Sequence, residues 1–111
     1  MRRFSYVILI SFILLICLSG CKPSNMSQTS YDGAKIAIDA AEQYLDMELS
    51  ASDAFEKIDT VSSRVDAIEN TDTGDIYVSL YLTTLKYAIQ REESDVSIQS
   101  EIDNLKNAIG K

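Results

Sequence analysis

From Tyr31 to the last residues the chain keeps one hydrophobic period, the helical one, and this excludes most architectures at the outset. Ala34, Ile38, Ala41 and Leu45 recur at i, i+4, i+7 and i+11. The same spacing returns in Ala54, Ile58, Val61, Val65 and Ile68, in Val78, Leu82, Leu85 and Ile89, and in Ile98, Ile102, Leu105 and Ile109. Residues so spaced fall on one side of a helix. No stretch alternates with period two for long enough to form a strand. The expected fold is therefore all-α, a small bundle of four short helices. A three-helix core with a loosely docked C-terminal helix is the alternative.

Caps and breaks set the expected boundaries. A first helix spans about Tyr31 to Leu49, capped by Thr29 or Ser30, with Ile36, Ala40, Tyr44 and Met47 widening its apolar arc. A second begins near Ser52, with Ser50 and Asp53 as a competing capping pair, and ends about Ile68 or Glu69. Residues 70–75, Asn-Thr-Asp-Thr-Gly-Asp, form a turn into a third helix capped by Asp72 or Thr73. A fourth starts near Ser94 or Asp95 and closes at Ile109, with Gly110 as its C-terminal cap. Helices one and three, with the broad apolar arcs, are expected at the centre. Residues 31–111 can bury only a modest core, and the shared spacing is the generic amphipathic period rather than a repeat.

The N-terminal segment of the chain has a different grammar. Arg2 and Arg3 precede a run from Tyr6 to Leu18 that is apolar except for Ser11, and polar residues Lys22 to Asn25 follow almost at once. The run is short for a spanning helix, which needs about 18 apolar residues, and has the form of a secretory leader. It ends in Leu18, Ser19, Gly20 and Cys21, which resembles the lipobox of bacterial lipoprotein precursors. The resemblance covers only the first twenty-one residues. It implies that the Cys21 thiol receives a diacylglycerol and that a dedicated peptidase, recognising Leu18, Ser19 and Gly20, cuts before it. Residues 1–20 would then be a signal peptide, 21–30 a lipidated cysteine and polar tether, and 31–111 the helical domain. Two acyl chains give stable anchoring where one gives only marginal binding. The expected location is the extracytoplasmic side of a membrane. Lys22 is not the aspartate associated with inner-membrane retention, so an outer-membrane destination follows in a Gram-negative cell.

That processing leaves little chemistry behind. Cys17 leaves with the leader and Cys21 is spent on lipid, so the mature chain has neither a disulfide nor a free thiol. Histidine is absent from the whole sequence, removing the commonest general base and metal ligand. The carboxylate pairs Glu92 with Glu93 and Asp53 with Glu56 have the patterning of an exposed helix. An enzyme is not expected, nor a cofactor. Loss of Arg2 and Arg3 leaves eight basic against seventeen acidic residues, a net charge of −9 in place of −7. Such a body disfavours nucleic acid and adhesion to anionic lipid.

Two features invite a site. Asp66, Glu69, Asn70, Asp72 and Asp75 gather oxygen ligands around one turn. A calcium loop starting at Asn70 fails, because its sixth place is Asp75 and its twelfth Tyr81, so capping and solvation are expected and no metal. The second feature is an extra stripe on helix three, Ile76, Leu80 and Tyr87, with Tyr77 and Tyr81 nearby, roughly opposite its core face. The simplest reading buries this stripe at the centre of the bundle. The alternative makes it a contact surface for an envelope protein or peptide, or for a second copy in a homodimer. The functional expectation is a membrane-anchored interaction module. An accessory lipoprotein holding a small apolar ligand and a phage or plasmid exclusion lipoprotein are the other readings.

Overall fold

The computed structural model describes residues 22–110. The expected leader and lipobox, with Leu18, Ser19, Gly20 and Cys21, lie outside these described residues. Four helices follow one another: α1 (Gln28–Leu45), α2 (Ala51–Asp66), α3 (Thr73–Gln90) and α4 (Asp95–Ala108). No strand occurs among the described residues. The fold is the expected four-helix bundle.

Each helix starts where a side chain can take up a free amide. Ser27, Ser50 and Ser94 accept hydrogen bonds from the amides of Ser30, Asp53 and Ser97 at 3.2, 3.1 and 3.2 Å. Asp72 opens α3, and Asp75 reaches back to the Asp72 N–H at 2.9 Å, the return arm of a capping box. Three helices stop at a left-handed residue: Met47 (φ 62°) after α1, Glu92 (φ 52°) after α3 and Gly110 (φ 81°) after α4. At the first two the flanking amides bond back in the Schellman pattern. Glu48 N–H donates to Gln43 at 2.8 Å and Glu93 N–H to Ala88 at 3.0 Å.

The first helix differs from expectation at both ends. It begins at Gln28 rather than near Tyr31, because Ser27 is the cap. Met26 just outside and Tyr31 one turn inside are both buried, the two positions of a hydrophobic staple. The expected tether is therefore structured from Asn25 onward. At the other end α1 stops at Leu45, so Met47 leaves its face and is 94% exposed.

Helices α1 and α3 lie side by side at the centre, each touching all the others, while α2 and α4 pack on either side of that pair without touching each other among the described residues. The close approach along α1 follows from its small residues: Gly33, Ala34, Ala37, Ala40 and Ala41 are all buried. Around them Ile58, Leu82, Leu85, Ile89, Ile98, Ile102 and Leu105 are fully covered. Helix α4 is thus tightly docked, with every member of its predicted stripe buried.

Candidate functional site

At the end of the bundle where α1 and α3 both begin, one carboxylate joins three segments. Asp75 is buried and accepts from Ser27 N–H at 2.8 Å and from Asp72 N–H at 2.9 Å. Burial alone would push its pKa up. Hydrogen bonds from the Ser30 hydroxyl, the Asp72 and Ser27 amides and the Ser27 hydroxyl outweigh it and hold the group at about 2. Beside it Gly74 N–H donates to the Asn25 carbonyl at 2.9 Å. A Cβ on Gly74 would stand 2.6 Å from that same oxygen, so only glycine admits the contact. The stub that leads to Cys21 is thereby fastened to the start of α3.

In the acidic turn two carboxylates already have hydrogen-bond donors. Asp75 is committed to backbone amides, and Asp66 accepts the Ser79 hydroxyl at 2.5 Å. Among the described residues no three acidic, cysteine or histidine side chains converge on a metal position. The role of Asp75 was legible in the spacing Asp72-x-x-Asp75, a capping box with aspartate in the return position, and that of Met26 in its place before Ser27.

The second stripe on α3 is exposed, which corrects the reading that buries it. Ile76 is 59%, Leu80 54% and Tyr87 40% exposed, and Tyr77 beside them is 50%. The reason is topological. One face of α3, carrying Val78, Leu82, Leu85 and Ile89, suffices to meet all three neighbours, and a bundle of four has no fifth helix to cover the far side. Ile76, Leu80, Thr83 and Tyr87 are spaced four, three and four residues apart, so they form one row along the outer face.

No free charge interrupts this row. Helix α3 contains two charged residues. Asp75 is buried, and Lys86 is turned to the α2 flank, where its ammonium lies 2.9 Å from Asp59. The polar groups at the flanks are likewise engaged. Thr84 donates to Glu101 at 2.8 Å and Thr83 to the Ser79 carbonyl at 3.0 Å. Aromatic rings border the row: Tyr77 and Tyr81 stack with centroids 6.3 Å apart, and Tyr87 leans on Phe55 at 6.2 Å. A neutral, half-aromatic strip on so acidic a chain is suited to contact and carries no acid, base or nucleophile poised for a reaction.

Other concavities are rimmed by charged and polar groups. One between α1 and α4 is lined by Leu45, Asp95, Val96, Gln99, Ser100 and Asp103. Another, lined by Lys35, Ile38, Asp39, Glu42 and Lys106, is bridged by the Lys106 to Glu42 ion pair at 3.5 Å. In comparison with known proteins, no family model, no curated sequence and no solved structure matches the chain.

Proposed function

We propose that this chain is a lipoprotein, anchored through a diacylglycerol on Cys21 at the extracytoplasmic side of a membrane, and that its body works by contact rather than by catalysis. The working surface is the outer face of α3, Ile76, Leu80 and Tyr87. The observation that carries the reading is the exposure of that row on a bundle whose core is otherwise complete. Such a face admits an envelope protein or peptide, a second copy, or the membrane to which the chain is tied. In a Gram-negative cell Lys22 directs the anchor to the outer membrane.

The test is thiol accessibility in intact cells, where lipidation of Cys21 leaves an introduced cysteine as the single free thiol. Leu80→Cys is expected to react slowly with a membrane-impermeant maleimide, and Lys57→Cys, exposed on α2, to react fast. Equal and fast reaction at both positions would mean that nothing meets α3. Mass measurement of the N-terminal peptide, compared with a Cys21→Ser variant that should leave the membrane fraction, tests the anchor separately.

A further inference from the structure

The outer face of α3 has acidic edges. By the helical period Ser79 stands about 80° to one side of the centre line of Ile76, Leu80 and Tyr87, and Thr84 about 60° to the other. Each hydroxyl donates to a carboxylate of a neighbouring helix, Ser79 to Asp66 of α2 at 2.5 Å and Thr84 to Glu101 of α4 at 2.8 Å. A hydroxyl is neutral, so it fixes the direction of the carboxylate and leaves the negative charge in place. Among the described residues neither Asp66 nor Glu101 has a lysine or arginine within ion-pair distance. The two cations of this side are set against other acids, Lys86 at 2.9 Å from Asp59 and Arg91 at 4.0 Å from Glu93. The apolar row is thus bordered on both sides by a held carboxylate with no countercharge.

We infer that the partner of this face is a cationic amphipathic helix of another protein, its apolar stripe on Ile76, Leu80 and Tyr87 and its lysine or arginine heads on Asp66 and Glu101. This deepens the contact reading above and rests on it. Complementary charge flanking an apolar seam is the arrangement by which paired helices select partner and register. The size of the face also fits. From Ile76 to Tyr87 the row is about 16 Å long, about three helical turns, the footprint of one helix laid on another. A folded partner with a stable interface would need about 800 Å² on each side. The same carboxylates argue against the other occupants. Two copies joined through α3 would bring Asp66 and Glu101 of one toward those of the other, and an anionic lipid surface would repel both.

The experiment uses the full chain with its anchor in phosphatidylcholine nanodiscs, and empty nanodiscs as the blank. The probe is a synthetic helix of about eighteen residues with leucine on one face and lysine on both flanks. A second probe has glutamine in place of every lysine. Fluorescence anisotropy gives the affinity, and amide shifts in an isotope-labelled chain locate the contact. The lysine probe is expected to saturate, to shift the amides of α3 and to weaken with salt. Leu80→Ser should weaken it about tenfold, and Asp66→Asn combined with Glu101→Gln about fivefold. Glu48→Gln combined with Asp103→Asn removes the same charge from exposed positions away from α3 and should change it less than about twofold. Asparagine and glutamine keep a carbonyl for the Ser79 and Thr84 hydroxyls, and Leu80 is exposed, so circular dichroism of these variants should match the parent.

Absence of saturable binding, equal binding of the glutamine probe, or an equal loss from the two charge pairs overturns the proposal. Self-association that Leu80→Ser abolishes overturns it in favour of a second copy. Quenching of a fluorophore on Leu80→Cys by brominated lipid overturns it in favour of the bilayer. Where Leu80→Cys is nonetheless slow to react with maleimide in cells, the contact reading stands with a different occupant; fast reaction there removes both.

Discussion

Asp75 couples the pre-helical stub, the cap of α1 and the first turn of α3 through one carboxylate, and its ionisation is therefore a stability term. A folded-state pKa of about 2, below the ordinary aspartate value, stabilises the fold at all pH values above about 4 and is lost as the pH falls toward 2. The gain is about 2 kcal/mol on this shift, since the group is almost fully buried. Urea midpoints between pH 5 and pH 2 should fall steeply for the parent and flatten for Asp75→Asn. The two buried glycines separate in the same way. At Gly33 a methyl would meet Val65 and Val61 at 3.4 and 3.5 Å, an ordinary contact, so Gly33→Ala should stabilise by up to about 1 kcal/mol. At Gly74 the same methyl collides with the Asn25 carbonyl, so Gly74→Ala should destabilise the fold and expose Ser24 and Asn25 to protease. Buried Ser62, whose hydroxyl has no hydrogen-bond partner, should tolerate alanine without loss.

At the scale of the element, α3 joins a conventional core side to an uncovered apolar side, and substitutions two residues apart, on opposite sides of the helix, should behave oppositely. Leu80→Glu is expected to keep the helical signal and unfolding midpoint within about 0.5 kcal/mol of the parent while abolishing protection of that face from maleimide. Leu82→Glu, in a fully buried position, should unfold the chain. The Schellman closures of α1 and α3 place Met47 and Glu92 in the left-handed region, at a cost of about 1 kcal/mol each. Glycine at either position should raise the urea midpoint, with the larger gain in solubility at Met47 because it removes an exposed apolar side chain. The starts of α3 and α4 were legible from Asp72 and Ser94, whereas the start of α1 was expected about one turn late because Thr29 and Ser30 compete with the true cap, Ser27. The early stop of α1 was not legible, because no glycine marks it and Met47 continues the apolar period past the true end.

For the whole molecule, the central pair α1 and α3 makes unfolding a single event. Helix α4 contributes Ile98, Ile102, Leu105 and Ile109 to the common core, so Ile102→Ala should cost about 3 kcal/mol and shift one cooperative transition rather than release α4 alone. Circular dichroism and amide exchange in α1 and α4 should report the same midpoint. The order of the helices, their number and nearly every core position were readable from the period of the apolar residues, since burying one face of each helix leaves a chain this short few other solutions. The outer face of α3 was ambiguous for a physical reason. An apolar row records that a side chain avoids water or awaits a partner, and the period alone contains no count of neighbouring helices.

By itself, then, the sequence determined a helical bundle, most of its caps and its lack of histidine, because these depend on local spacing and residue type. Tertiary structure decided that the row Ile76, Leu80 and Tyr87 faces outward and that the stub before α1 is fastened to the start of α3 at Gly74, on the side away from that row. Both depend on what lies across from α3, a long-range pairing of residues about fifty positions apart that no local period encodes.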